Sequence, residues 1–206
     1  MWVAAAAVAA LGAILFLSGF ARSAYVTNTH WVHDQPVPFS HAHHVAGLGI
    51  DCRYCHTTVE KSARAGLPAT EVCMTCHSQE WTGAPVLAPV RQSWATNMPL
   101  KWNRVAILPD YVYFNHSIHV NRGVACVTCH GRVDRMPLMW REKPFEMKWC
   151  LQCHRDPLPN LGRPQEVTRM EPPQWHEGEQ HAFAVAAARR LHINPARLDK
   201  CDVCHR

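Results

Sequence analysis

No charged residue interrupts the chain between Trp2 and Ala21, and no basic residue precedes that run. No cysteine stands outside one recurring five-residue word, and glycine is sparse, at 10 against 15 prolines in 206 residues. Each absence excludes something. Without a basic flank, the positive-inside rule cannot set the orientation of the apolar run. Without spare cysteines, a disulfide scaffold would have to draw on the same ten residues as the word itself. The prolines and glycines, scattered mostly through the remainder, argue against long regular elements there. What the run does contain is WVAAAAVAALGAILFLSGFA. Its twenty residues, at about 1.5 Å rise each, reach across the roughly 30 Å hydrocarbon core of a bilayer. A cleavable signal peptide is the alternative, favoured by the small Ala21, Ser23 and Ala24 but normally built on an apolar stretch of only about 7 to 15 residues. A retained single-pass anchor is expected.

The word is C-x-x-C-H. It recurs as Cys52-Arg53-Tyr54-Cys55-His56, then at Cys73, Cys76 and His77, at Cys126, Cys129 and His130, at Cys150, Cys153 and His154, and at Cys201, Cys204 and His205. Two thiols at this spacing form thioethers to porphyrin vinyl groups, and the adjacent imidazole ligates the iron. Zinc is the competing reading, since two C-x-x-C pairs can close a tetrahedral site, but five pairs leave one over. The expectation is five covalently bound haems c, with the five histidines as proximal ligands. Attachment of this kind takes place outside the bacterial cytoplasm, so the bulk of the chain is expected on the periplasmic face of the inner membrane.

After the anchor, about 185 residues remain, or about 37 for each cofactor, too few for a conventional core around each. The porphyrins must then serve as the core. The expected fold is a class III-like multihaem cytochrome c, haem-organised, with short helices and extended loops, little or no sheet, and one N-terminal transmembrane helix. The formal polypeptide charge of +5 is offset by the haems, whose ionised propionates and iron–porphyrin cores together add about −5 when oxidised and about −10 when reduced. It therefore implies no nucleic-acid partner.

An internal duplication organises the histidines. VPFSHAHHVAGLGIDCRYCHTTVEKS begins at Val37 and VYFNHSIHVNRGVACVTCHGRVDRM at Val112. Each reads F-x-H-x-x-H ahead of a haem word, with His41 and His44 in the first copy and His116 and His119 in the second. Each copy closes with a second word after a proline. Histidines at i and i+3 project from one side of a turn, and a neutral imidazole can fill an axial site. The pattern resembles the small class III multihaem cytochromes. That resemblance implies that the first histidine of each pair is the distal ligand of the haem whose word follows, His41 opposite His56 and His116 opposite His130. It implies that His44 and His119 reach neighbouring haems. His43 has no counterpart, since Ile118 occupies the matching place. His30 and His33 are read as solvated or propionate-contacting.

One haem is left without a sixth ligand. Met136 and Met147 are the leading candidates, with Met139, Met170, His176, His181 and His192 behind them. His181 and His192 are expected on a helix from Glu177 to His192, acidic at its start and basic at its end. Asn194-Pro195 reads as the cap and first position of a short helix leading to Cys201. The resulting organisation is an anchor (1–22), a first di-haem module (23–80), a Trp- and Pro-containing connector (81–111), a second di-haem module (112–156), and a connector helix with the fifth haem (157–206). The two stretches without haem words are expected as long loops that cover haem edges or meet partners.

If every iron has two protein ligands, no position remains for a substrate, and the chemistry is outer-sphere electron transfer. The haems would form a wire with one end held near the membrane by the anchor. With YFNHSIHV followed by CVTCHGRVDRM, MKWCLQCHRDP and the terminal CDVCH, the chain resembles the pentahaem cytochrome c component of bacterial alternative complex III. That resemblance implies an electron-transfer subunit, not an enzyme on its own, in a menaquinol-oxidising assembly. The implied partners are an iron-sulfur subunit, multi-span quinol-binding membrane subunits and a mono-haem cytochrome c. Electrons would pass on to a soluble cytochrome c, a blue copper protein or an attached oxidase. The competing expectation is a self-contained membrane-anchored quinol dehydrogenase feeding a periplasmic reductase.

Overall fold

A computed structural model describes residues 2–171 and 173–205; Met1, Pro172 and Arg206, which the predicted anchor and terminal segment include, lie outside that description. Helix α1 (Trp2–Ala21) is the apolar run, and none of its residues is buried. Phe16 is 70% exposed. Such a surface needs a non-aqueous surround, and the helix satisfies its own backbone. Among the described residues it is the one helix, continued by the turn α2 (Ala24–Thr27), that is long and apolar enough to cross a membrane. The chain then leaves α2 through Asn28 in the left-handed region and meets residues 140–142. Thr29 and Val32 form isolated bridges with Arg141 and Trp140. The Arg141 guanidinium donates to the Thr27 carbonyl at 2.8 Å and also to the Ile107 carbonyl. The segment that follows α1 is therefore fastened between the third and fourth haem words in sequence, and not at either end of the set.

Short helices carry all five words. They are α3 (Cys52–Cys55), α4 (Thr70–His77), α7 (Cys126–His130), α8 (Met147–Arg155) and α11 (Cys201–Cys204). Between them lie α5 (Ala88–Thr96), α6 (His116–Asn121), α9 (Glu179–Arg190) and α10 (Pro195–Leu198). No strand is formed among the described residues beyond the two isolated bridges. Asn194 caps α10 as expected, its side chain accepting from the Ala196 N–H at 3.1 Å.

Three local expectations are revised. The connector 81–111 is not wholly loop. Pro89 sits in the first turn of α5, where its missing N–H costs nothing, and Asn97 ends the helix at φ 52°. Leu87 and Val90 are buried against Val37, with Cys73 and Trp102 alongside. The second stretch, despite few apolar residues, buries three of them: Leu161, Val167 and Met170 are 2%, 1% and 7% exposed. Third, α9 stops two residues before His192. Ile193 N–H returns to the Ala188 carbonyl at 2.9 Å and His192 lies at φ 53°, a left-handed helix end. His181 and His192 therefore do not share a helix face.

Apolar packing among the described residues falls into three small clusters, which suits a chain too short for one large core. Val37, Leu87 and Val90 form one; Val59, Val120 and Val167 form another; Val133, Met136 and Met170 form the third. The second cluster draws on both modules and on the terminal segment, so the two copies of the repeat interlock. His116 N–H and Ser117 N–H donate to the carbonyls of Ala63 and Ser62, and Asn121 donates to Glu60. Gly123 lies at φ +82°, and a Cβ there would meet the Gly162 carbonyl oxygen at 2.0 Å. That crossing requires a glycine. Met136→Ala, at a position only 1% exposed, is expected to destabilise the protein by about 2–5 kcal/mol, read as a lower midpoint of thermal unfolding.

Candidate haem sites

Each C-x-x-C pair occupies one helical turn, which puts both sulfurs on one side. In α3, α7 and α11 the word forms nearly the whole helix; in α4 and α8 it closes a longer one. Asp51 caps α3 by accepting from the Arg53 N–H at 2.9 Å. The Arg53 guanidinium on the same carboxylate, with the Thr168 hydroxyl, holds its pKa down to about 2. None of the ten cysteines is paired in a disulfide. Among the described residues, no cluster of three or more His, Cys, Asp or Glu is placed to hold a metal ion. The alternative of paired C-x-x-C zinc sites is thus not built here.

The histidines pair instead. His116 and His130 have ring centres 6.3 Å apart and planes within 5°. His119 faces His154 at 6.1 Å, and His44 faces His77 at 6.3 Å. Metal–imidazole bonds of about 2 Å, with about 1.1 Å from each nitrogen to its ring centre, put two axial rings roughly 6.2 Å apart. The donor set therefore fits an iron between two imidazoles, with the porphyrin supplying the other four nitrogens. His41 lies within electrostatic reach of His56.

Orientation comes from the backbone. Nδ1 donates to a main-chain carbonyl in His44 (Ser40, 2.8 Å), His56 (Gly66, 2.7 Å), His77 (Glu80, 3.2 Å) and His116 (Ala63, 2.9 Å). The same bond holds His119 (Asn115, 2.7 Å), His154 (Leu198, 2.8 Å) and His205 (Tyr111, 3.1 Å). A carbonyl can only accept, so the proton is fixed on Nδ1 and the lone pair on Nε2, the ligating tautomer. The buried His41 Nδ1 lacks such a partner.

The family described as cytochrome c3 matches residues 118–206, and that described as cytochrome c7 and related cytochrome c matches residues 37–88. The chain is a multihaem cytochrome c. Its fold is the helical c3/c7 kind, and haem c is its covalently bound cofactor. A curated relative is the "Menaquinone reductase, multiheme cytochrome c subunit" of Nitratidesulfovibrio vulgaris (strain Hildenborough). It is 33% identical over 124 residues, 60% of this cytochrome and 52% of the relative. The cytochrome thus spans about half of that relative's length.

Burial tunes the site groups of the cytochrome. It pushes His41 down to about 4, helped by the neighbouring His56 and His44, and His130 to about 4, helped by His116, His56 and His41. His44 and His119 are lowered for the same reason. These rings are neutral at pH 7, with a lone pair free to bind metal. Burial also raises the thiols, Cys129 to about 12 with Cys153 and Cys150 adding to the effect. Cys55 is raised by burial and by Cys73, and Cys150 by burial and by Cys204. Cys126 is raised by a hydrogen bond with Cys52 and then by burial.

The other predicted positions are distributed unevenly. His43 lies beside Trp81 at 5.8 Å rather than opposite a proximal ring. Met136 packs between Val133 and Met170, with Met139 at the edge of that cluster. Met147 opens α8 and is 61% exposed. His192 lines a cavity of about 510 Å³ with Arg189, Ile193 and Pro195. His30 pairs with Glu142 at 3.4 Å. The ring against His205 is Tyr111, at 5.8 Å.

Two residues of the repeated motif carry a role that sequence reasoning passed over. Phe39 stacks on His44 at 4.3 Å and abuts His41 at 4.9 Å; Phe114 does the same to His119 and His116 at 4.5 and 4.8 Å. The duplicated F-x-H-x-x-H was the available signal, with the aromatic as a wedge that sets both rings. Phe114→Ala is expected to shift the ferric EPR g values of the haems served by His116 and His119 and to leave the others in place.

Proposed function

We propose that this cytochrome is the five-haem electron-transfer subunit of a membrane menaquinone-linked oxidoreductase of the alternative complex III type. The observation that carries the reading is the recurrence of imidazole pairs at 6.1 to 6.3 Å, a spacing that leaves no coordination position for a substrate. The ten cysteines attach the haems. His41 with His56, His44 with His77, His116 with His130, and His119 with His154 would hold the haem irons, each through Nε2. Bound haem supplies the one-electron chemistry; the chain holds, orients and partly buries it. His205 is the proximal ligand of the fifth haem. Of the methionines, Met147 suits its sixth position better than the packed Met136, because it is exposed three residues ahead of Cys150, whose thiol neighbours Cys204.

Electrons enter from an iron-sulfur subunit, then leave to a periplasmic acceptor, a soluble cytochrome c or blue copper protein. Multi-span quinol-binding subunits and a mono-haem cytochrome c complete the assembly. Helix α1 crosses the inner membrane once, with the bulk of the chain on the periplasmic side. The quinone link is supported by the name of the relative, which also favours a second reading: the same cytochrome in a complex that delivers electrons to menaquinone. The midpoint potentials separate the two directions. Haems above the menaquinone couple support quinol oxidation; haems below it support quinone reduction.

Purification in mild detergent is expected to bring down iron-sulfur and multi-span membrane subunits with a cytochrome carrying five haems. The chain expressed alone is expected to stay oxidised on addition of menaquinol; rapid reduction would instead establish a self-contained quinol dehydrogenase. Ferric protein is expected to show a long-wavelength sulfur-to-iron charge-transfer band that Met147→Leu abolishes.

A further inference from the structure

We propose that the five attachment words form one unbranched series in the order second, first, third, fourth, fifth, and that residues 161–170 are the positioning element joining its halves. The inference rests on the reading above, that all five words carry haem. The order departs from the order in sequence, and each junction has its own contacts.

The second and first words are tied directly. Tyr54, inside the first, hydrogen-bonds Thr75, inside the second, at 2.9 Å. His41 and His44 lie on the same turn, one beside His56 and the other opposite His77. The third and fourth words are joined in the same way by α6, whose His116 and His119 face His130 and His154. The fourth and fifth meet where Leu198 accepts from His154 and Arg155 pairs with Asp199 at 3.4 Å. Tyr113 N–H donates to the Cys204 carbonyl at 2.8 Å, next to the Phe114 that stacks on His119.

The first and third words belong to different copies of the repeat, and their junction is built by a third segment. Consecutive carbonyls lie against the two words: Val167 accepts from Cys126 N–H at 2.8 Å, and the Thr168 carbonyl lies 4.0 Å from Cys52 Sγ. The Thr168 hydroxyl donates to the cap of the first word, Asp51, at 2.8 Å. Cys52 and Cys126 both pack on the Val133, Met136 and Met170 cluster. Upstream, Gly162 crosses Gly123, its N–H donating to the Gly123 carbonyl at 2.9 Å. The turn that bears His41 and His44 is held to the segment after the third word, Ala42 N–H donating to the Met136 carbonyl at 3.0 Å. Among the described residues, no hydrogen bond or ring contact joins the second word to the third, fourth or fifth, or the first to the fourth or fifth.

NMR- and EPR-monitored redox titration of the full-length holoprotein tests the order, with signals assigned to sites through haem–residue Overhauser contacts. Pairwise redox interactions are expected to be largest for second with first, first with third, third with fourth, and fourth with fifth, since electrostatic coupling falls with separation. A dominant interaction between second and third, or none between first and third, overturns the order. Gly123→Ala forces the crossing apart, and Thr168→Val removes the hydroxyl from Asp51 without changing its shape. Either is expected to keep five haems and the low-spin spectrum while weakening the first–third interaction alone. An unchanged first–third interaction in both variants, or equal weakening of all four interactions, overturns the positioning role. Fewer than five haems in the wild-type protein would defeat the functional reading itself, whereas five haems coupled in another order would defeat only this inference.

Discussion

Two imidazoles that share an iron must keep their ring centres roughly 6.2 Å apart, and most of this protein can be understood as the means of meeting that separation repeatedly. An axial ring has to be placed and also turned, with Nε2 inward. The chain spends main-chain carbonyls on the second task, seven of them on Nδ1 atoms. Carbonyls at helix ends and in irregular backbone are well suited to it because fewer of them are taken up by helix or sheet bonds. The shortness of the elements thus follows from the ligands. A longer helix would hide the carbonyls that the histidines need.

The apolar interior is correspondingly divided. Three clusters of valine, leucine and methionine sit at places where chain segments cross and do not fill a common centre. Two of them fix one copy of the repeat against the other, and the third fixes α5 against the first copy. The first copy contributes the Ala63 carbonyl that orients His116 of the second, so ligand geometry in one half depends on backbone in the other. A boundary drawn between the copies by sequence similarity is therefore not a boundary in packing.

What could be seen in the sequence was whatever is encoded by side-chain identity at short range. The C-x-x-C-H words, the F-x-H-x-x-H pairs, the uncharged run of α1 and the Asn194 cap are all local patterns. Helix α5 was hidden because its proline and its mixed polarity look like loop, and its burial depends on Val37, far away in sequence. The segment 161–170 was hidden for a stronger reason. It holds its neighbours largely through backbone groups, which are the same at every residue. The identity of the ring facing His44 was likewise invisible, since His77 comes to it only through the path of the chain between them.

The segment that latches Cys52 beside Cys126 lies after four of the five words. A chain made from its N-terminus delivers those eight cysteines before their latch exists. Cys52 and Cys126 are open while the halves are still apart, and closure at Val167 and Thr168 then covers them in part. Placing the clasp late in the chain thus reconciles two opposing demands on Cys52 and Cys126, access while the chain is incomplete and partial cover afterwards.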